Sequence, residues 1–137
     1  MKICFDTNVV LDLLLRREPF TKDSAEVISM IEGTVHTGLL CATTLTNLHY
    51  LTKRSLGETG ARRAVADCLR MMELAHVTRP VLDAAVLAAM PDFEDAVLAH
   101  AAHQAGAHAI ITRNLRDFAK SPVRAYTPLQ FLALQAT

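Results

Sequence analysis

The strongest constraint on the fold is the alternation of short apolar runs with longer stretches in which apolar residues recur at helical spacing. The first run covers residues 3–5, and from Asn8 the leucines and valines recur every three or four residues through Leu15. Short continuous apolar runs are typical of strands buried on both faces, whereas the longer period is that of an amphipathic helix. Strands alternating with helices predict a parallel sheet covered on both faces.

The rest of the chain repeats this pattern, and residues that start or stop helices set the predicted bounds. A second helix is predicted from Thr21 to Glu32, closed by Gly33. Later helices are predicted from Thr43 or Thr44, over 58–73, after Pro80, over 92–104 with Gly106 ending it, and after Thr127. Later strands are predicted over 38–42, 74–77, 108–111 and 123–126. The predicted fold class is α/β, a three-layer α/β/α sandwich with a mainly parallel central sheet.

Composition indicates a globular protein and excludes some classes of function. The 137 residues contain no repeat or low-complexity linker, so we expect one domain over 1–137. No apolar run reaches the roughly 20 residues that span a bilayer, and Asp6 follows the start too soon for a signal peptide. We therefore expect a soluble, cytoplasmic protein without membrane contact. The three widely spaced cysteines suit reduced, buried thiols.

The charge balance limits how nucleic acid could be bound. Acidic and basic residues number 14 each, which gives a formal net charge of zero. Proteins that coat nucleic acid non-specifically are usually basic, and this composition gives that role no support. Any contact with nucleic acid must therefore come from a local basic patch.

Acidic and amide side chains are predicted to gather at one edge of the sheet. Asp6 follows the first strand, Asn114 and Asp117 follow the fourth, and Asp92 and Asp95 begin the helix before the fourth. Ligands of such sheets bind beyond the carboxyl ends of the strands, where that helix also starts. Clustered carboxylates repel one another unless a cation joins them, and magnesium suits oxygen ligands of this kind. Such a site can hydrolyse nucleic acid without a protein nucleophile.

Each of these acids also has a structural interpretation. Asp92 followed three residues later by Asp95 suits a helix N-terminus, where one acid caps and the other complements the dipole. Asp6 could simply cap the first helix. For any one acid alone capping is the better interpretation, but three acids at separate strand ends favour a site.

Three segments resemble motifs of the PIN-domain family. Residues 3–10 (ICFDTNVV) are similar to its first motif, in which the aspartate binds metal. Residues 92–98 (DFEDAVL) are similar to its third, with Asp95 as the matching acid, and residues 110–118 resemble the closing motif. The order and spacing match along almost the whole chain, and the two later motifs are the more specific.

The resemblance implies a set of functional residues. Asp6 and Asp95 would bind Mg²⁺, or alternatively Mn²⁺, and Asp117 would join them as a catalytic acid. Residues expected to support the pocket are Asn8, Asn47, Asp92, Thr112 and Asn114. Residues expected to hold the RNA backbone are Lys53, Arg54, Arg113 and Arg116.

Asn47 is a departure from the family pattern. It occupies the position where the family usually places a glutamate, early in the third helix. An asparagine offers an oxygen without a charge, so metal affinity or activation of water is expected to be weaker. Replacing Asn47 by glutamate is accordingly expected to raise activity or lower the magnesium requirement.

The resemblance further implies a magnesium-dependent ribonuclease that acts as the toxin of a type II toxin–antitoxin pair. An RNA substrate, an antitoxin protein and a homodimer are the implied partners. The alternative is a non-catalytic PIN-like module that binds RNA or protein. A phosphatase of the haloacid-dehalogenase kind is weaker, because that chemistry needs a second aspartate where Asn8 stands. A receiver domain is weaker still, since no later aspartate and lysine pair is arranged for phosphoacceptance.

Overall fold

Five parallel strands form a central sheet. The computed structural model describes residues 1–33 and 35–136. The strands are β1 (Lys2–Phe5), β2 (Thr37–Cys41), β3 (Glu73–Ala75), β4 (Ala109–Ile111) and β5 (Ala125–Tyr126). Their order across the sheet is β3-β2-β1-β4-β5, and each neighbouring pair runs parallel. The predicted parallel sheet is confirmed, with the first strand at its centre.

Helices cover both faces of the sheet. They are α1 (Thr7–Leu14), α2 (Thr21–Ser29), α3 (Ala42–Met71), α4 (Arg79–Leu87), α5 (Phe93–Gln104) and α6 (Pro128–Gln135). Successive side chains of β1 point to opposite faces: Ile3 and Phe5 pack with residues of α1, α2, α3 and α6, whereas Cys4 packs with residues of α4 and α5. These two hydrophobic cores confirm the predicted three-layer sandwich.

The predicted end of the second helix is wrong. The α-helix stops at Ser29 rather than Glu32. The backbone N–H groups of Met30, Ile31 and Glu32 instead bond to carbonyls three residues earlier. This is the tighter 3₁₀ pattern that often closes an α-helix, so the apolar periodicity continues while the helix type changes. Gly33 lies beyond this turn and does not close the α-helix.

Two glycines shape helix boundaries. Gly57 has φ 73° and ψ 175°, which breaks α3 between the two helices predicted there. Gly106 has φ 81° and follows α5, as predicted for a glycine that ends a helix. The φ angles of both glycines are positive, a range that glycine adopts more easily than any other residue. The break at Gly57 therefore divides α3 into one part beside the sheet edge and a second part that returns to β3.

Two further features are the state of the cysteines and the length of the helices. All three cysteines are free and buried, as predicted. None of the helices in residues 1–33 and 35–136 combines the length and apolar character needed to cross a bilayer.

Candidate active site

A cleft of about 430 Å³ opens at the carboxyl edge of the sheet. It lies where β1 and β4 end and where α3 and α5 begin. Among the described residues, no lysine, arginine or histidine lines it, and its polar wall is made of acids, amides and threonines. The lining side chains are Asp6, Thr7, Asn8, Thr43, Thr44, Asn47, Tyr50, Leu51, Asp92, Glu94, Asp95, Leu98, Asn114 and Asp117.

Asp6 is held rigidly at the end of β1. Its side chain is only 8% exposed. One carboxylate oxygen accepts a hydrogen bond from the Thr7 backbone N–H at 2.8 Å, and the other accepts one from the Thr112 hydroxyl, also at 2.8 Å. Burial raises the pKa of Asp6, although these two hydrogen bonds and the Arg113 charge oppose the rise. Asp6 therefore caps α1 and also lines the cleft.

Asp95 stands in the first turn of α5. Its backbone N–H donates to Asp92 Oδ1 at 2.9 Å, so Asp92 caps the helix and leaves the Asp95 carboxylate facing the cleft. Burial, followed by the charges of Asp6, Asp92, Asp117 and Glu94, raises the pKa of Asp95 from 3.8 to about 7. A carboxylate in such surroundings is stabilised by any cation that enters the cleft.

Asp117 reaches the cleft from a 3₁₀ turn, Leu115–Phe118. Phe118 is 3% exposed and anchors this turn in the core. The Asn114 side-chain amide donates to Asp117 Oδ2 at 2.5 Å, and the Asn114 backbone N–H donates to the Thr112 hydroxyl at 3.0 Å. Thr112 itself is buried behind the cleft and acts on Asp6, so the segment after β4 orients two acids at once.

The donor set is compatible with a hard divalent cation. Carboxylate and amide oxygens converge on the cleft, and Mg²⁺ needs only one or two carboxylates because it keeps several waters. Within residues 1–33 and 35–136, no three Asp, Glu, His or Cys side chains stand close enough to hold one ion together. The chemical type of the side chains thus fits magnesium, whereas the described residues hold no ready-made group of three Asp, Glu, His or Cys ligands.

Arg113 does not line the cleft but turns away from it. Its Nε donates to Asp12 Oδ2 at 2.6 Å, and a second guanidinium nitrogen donates to Asp12 Oδ1 at 3.2 Å. The guanidinium also lies 3.9 Å from the centre of the Phe20 ring. Asp12 is fully buried in α1, and Arg17 Nε lies 3.7 Å from its carboxylate. The predicted contact of Arg113 with RNA stays a prediction. In the structure, the Arg113 guanidinium is paired with Asp12.

Lys53 and Arg54 lie next to the cleft. They line a shallow depression together with Tyr50 and Leu51, and these two residues also border the acidic cleft. Lys53 Nζ lies 3.5 Å from a carboxylate oxygen of Glu58. Arg116 is exposed in the 3₁₀ turn outside the cleft lining. Of the predicted basic residues, Lys53 and Arg54 therefore lie beside the acidic cleft, separated from it by Tyr50 and Leu51.

Sequence reasoning missed two charged residues of this region. Glu94 lines the cleft and accepts a hydrogen bond from Asn47, and its place between Asp92 and Asp95 in one helical turn was the available signal. Asp12 was missed because it stands within an apolar helix, where an acid is rarely buried without a partner. That rule, applied to Asp12, predicts a partner for the buried acid, and the structure shows that this partner is Arg113.

Comparison with known families decides the relationship. A family model described as PIN domain matches residues 2–116. The chain belongs to the PIN-domain family. A comparison with curated protein sequences gives no significant match.

Solved structures share this PIN-domain fold. VapBC-1 from nontypeable Haemophilus influenzae matches with a TM-score of 0.70 at 14% identity, covering 94% of this chain and 99% of that one. A toxin–antitoxin complex from Klebsiella pneumoniae matches with a TM-score of 0.68 at 21% identity, covering 92% and 97%. VapC20 from Mycobacterium tuberculosis, a toxin that cleaves the sarcin–ricin loop, matches at 0.64 with 17% identity, covering 79% and 86%. At these identities the likeness establishes the fold.

Proposed function

We propose that this PIN-domain protein is a magnesium-dependent endoribonuclease that hydrolyses RNA phosphodiester bonds. The observation that carries the proposal is the acidic cleft, in which the pKa of Asp95 is raised to about 7 by burial and by surrounding acids. Perturbed carboxylates in a cleft are typical of functional sites, and here they favour a cation. The description of VapC20 as a toxin that cleaves the sarcin–ricin loop supports the same class of reaction.

The residues of the chain would divide the work. Asp6 and Asp95 would hold the cation, directly or through water. Asp117 would join them as a third catalytic acid of the cleft. Thr112 keeps the Asp6 carboxylate in one orientation through its 2.8 Å hydrogen bond. When bound, Mg²⁺ supplies positive charge that offsets the phosphodiester and Lewis acidity toward the phosphate and the attacking water.

Binding of the RNA backbone would fall to the basic side chains at the rim. Lys53 and Arg54 stand beside the cleft, so a strand whose phosphate reaches the acids could place a neighbouring phosphate against them. Contacts to phosphates position a nucleic acid without reading its sequence. A local basic patch of this kind agrees with a chain whose formal net charge is zero.

Cleavage of a mixed RNA preparation by the purified chain tests the activity. Cleavage is expected with MgCl₂ or MnCl₂ and not with excess chelator. Asp95→Asn should abolish it because the charge is lost while the shape is kept. Asp23→Asn is the matched control, since Asp23 occupies the first turn of α2 outside the acidic cleft. Full cleavage by folded Asp95→Asn protein would contradict the proposed role of Asp95.

A non-catalytic binding module is the second candidate. It is favoured by Asn47 at the position of an expected acid, and by the lack, in the described chain, of three Asp, Glu, His or Cys side chains placed to hold one ion. This alternative predicts RNA or protein binding without cleavage at any concentration of Mg²⁺ or Mn²⁺. The same RNA assay, combined with a gel-shift measurement, separates the two functions.

An antitoxin is the proposed regulatory partner. The similar structures include toxin–antitoxin complexes, which supports a toxin role for this chain. A neighbouring gene for a small protein with a DNA-binding fold and a disordered tail is expected. Addition of its product to the cleavage assay should suppress the activity, and a product that neither binds nor inhibits would contradict the assignment.

The proposed assembly is a homodimer. Val86 and Leu87 at the end of α4 are 69% and 86% exposed, and Phe93 at the start of α5 is 54% exposed. We propose that these exposed apolar side chains are buried against the second chain of the dimer. Light scattering during gel filtration should give twice the 15.0 kDa chain mass, and Leu87→Lys should reduce it toward one chain.

A further inference from the structure

The side chain of Asn47 contacts an acidic side chain within the cleft. Its side-chain amide Nδ2 donates a hydrogen bond to Glu94 Oε1 at 3.1 Å. Both side chains line the same cleft as Asp6 and Asp95. The position that lacks a carboxylate is therefore in direct contact with a carboxylate from another helix.

This hydrogen bond joins helices from opposite faces of the sheet. Asn47 lies near the start of α3 and Glu94 in the first turn of α5, and the two helices pack in different hydrophobic cores. A free glutamate side chain samples many rotamers, and fixing it costs conformational entropy. The Asn47 amide engages one oxygen of Glu94 and leaves the other without a hydrogen bond from Asn47. The pair thus presents one oriented negative charge to the cleft.

A purely structural role explains Glu94 less well. An acid in the first turn of a helix complements the helix dipole. In α5, however, Asp92 already caps the helix and Asp95 already supplies an acid to the same turn. A third carboxylate adds repulsion to a cleft that no basic side chain lines among the described residues. Binding of a cation would remove this repulsion.

We propose that Glu94, oriented by Asn47, supplies the carboxylate that the asparagine at position 47 lacks, and that it helps to bind the divalent cation through water. This inference rests on the proposed metal-dependent function. It also changes the expectation for Asn47→Glu. That substitution replaces a hydrogen-bond donor by a second acid next to Glu94, so it no longer simply restores a missing charge.

Binding of Mn²⁺ to the full chain tests the proposal without using activity. Free Mn²⁺ is followed by electron paramagnetic resonance during titration of the wild type and of Glu94→Gln. Loss of a residue that supports a metal site weakens binding by about tenfold or more. Glu26→Gln is the matched control, because Glu26 is an exposed acid on α2 outside the cleft. The control is expected to stay within about twofold of the wild type, since an exposed charge in water interacts weakly with a distant site.

An exchange of the two side chains sharpens the test. The double variant Asn47→Glu/Glu94→Gln keeps one carboxylate and one amide in contact and should recover Mn²⁺ affinity to within about threefold of the wild type, since charge and donor are both conserved. Circular dichroism confirms that each variant is folded. Wild-type affinity in Glu94→Gln overturns the proposal. Weak binding in both Glu94→Gln and the exchanged variant overturns the pairing with Asn47 and leaves the charge of Glu94 supported.

The two proposals can fail separately. A wild-type chain that binds no Mn²⁺ and cleaves no RNA overturns the proposed function and this inference together. A wild-type chain that binds Mn²⁺ and cleaves RNA, with Glu94→Gln indistinguishable from Glu26→Gln, overturns only the role of Glu94.

Discussion

Asp95→Asn is expected to stabilise the metal-free protein at pH 8 while it removes the proposed activity. Burial and the neighbouring acids raise the pKa of Asp95 from 3.8 to about 7, which means that its ionised form is unfavourable in the folded chain. Asparagine has nearly the same shape and carries no charge. The substitution therefore relieves repulsion, and stability and activity should change in opposite directions.

The magnitude follows from proton linkage. Between pH 3.8 and about 7 the unfolded chain ionises Asp95 more readily than the folded chain does, so stability is lost across that range and is constant above it. At about 1.4 kcal/mol per pKa unit, ionising Asp95 in the folded chain would lower the free energy of unfolding by about 4 kcal/mol in the absence of screening. Asp95 is only partly buried, and solvent screening reduces this to about 1–2 kcal/mol. Asp95→Asn also removes a negative charge from the first turn of α5, and the lost interaction with the helix dipole reduces the gain in stability by about 0.5 kcal/mol.

Thermal unfolding in excess chelator measures this effect. One kcal/mol corresponds to about 4 °C in Tm for a domain of this size, so the variant should melt about 2–6 °C higher at pH 8. At pH 5 the difference should fall to about one third, because most of the linkage range lies above that pH. Asp23→Asn should show no such pH-dependent gain. A variant that melts at or below the wild-type temperature at pH 8 refutes the electrostatic reasoning.

Three further substitutions test the surroundings of the site. Arg113→Met should lower the unfolding free energy by about 2–3 kcal/mol, because it leaves the buried Asp12 carboxylate without its two guanidinium bonds; urea denaturation showing less than about 1 kcal/mol would contradict this. Thr112→Val should cost about 1–3 kcal/mol by the same measurement, since it removes the hydroxyl that donates to Asp6, and an unchanged midpoint would argue against that bond. Asp117→Asn should impair RNA cleavage at limiting magnesium with stability changed by less than about 0.5 kcal/mol, because asparagine keeps the shape and an oxygen that can accept the Asn114 hydrogen bond. Wild-type cleavage at limiting magnesium would remove Asp117 from the site.

The arrangement of the cleft could be predicted because it follows from regular structure. Once residues 3–5 and 108–111 are taken as parallel strands, Asp6 and Asn114 must emerge at the same edge. The start of α5 was equally predictable, since Asp92 has the spacing of an N-cap to Asp95. These inferences depend on local periodicity and on one rule of sheet topology.

Contacts between side chains of distant elements could not be predicted in this way. The Asn47–Glu94 hydrogen bond joins residues 47 positions apart, and the Asp12–Arg113 pair joins residues 101 apart. Periodicity states which face of a helix is buried but not which partner a polar group finds. The end of α2 was missed for a related reason, because the apolar spacing does not distinguish an α-helix from its closing 3₁₀ turn.

The central position of β1 has a consequence for the moment at which the cleft comes into existence. During translation Asp6 is made 106 residues before Thr112, whose hydroxyl orients it. At a translation rate of about 5–20 residues per second, this interval is about 5–20 s. Until β4 is synthesised, one edge of β1 has no neighbouring strand. Asp6 is then not yet assembled with the acids of residues 92–117. The nascent chain therefore contains Asp6 for several seconds before the segment that completes the cleft has been translated.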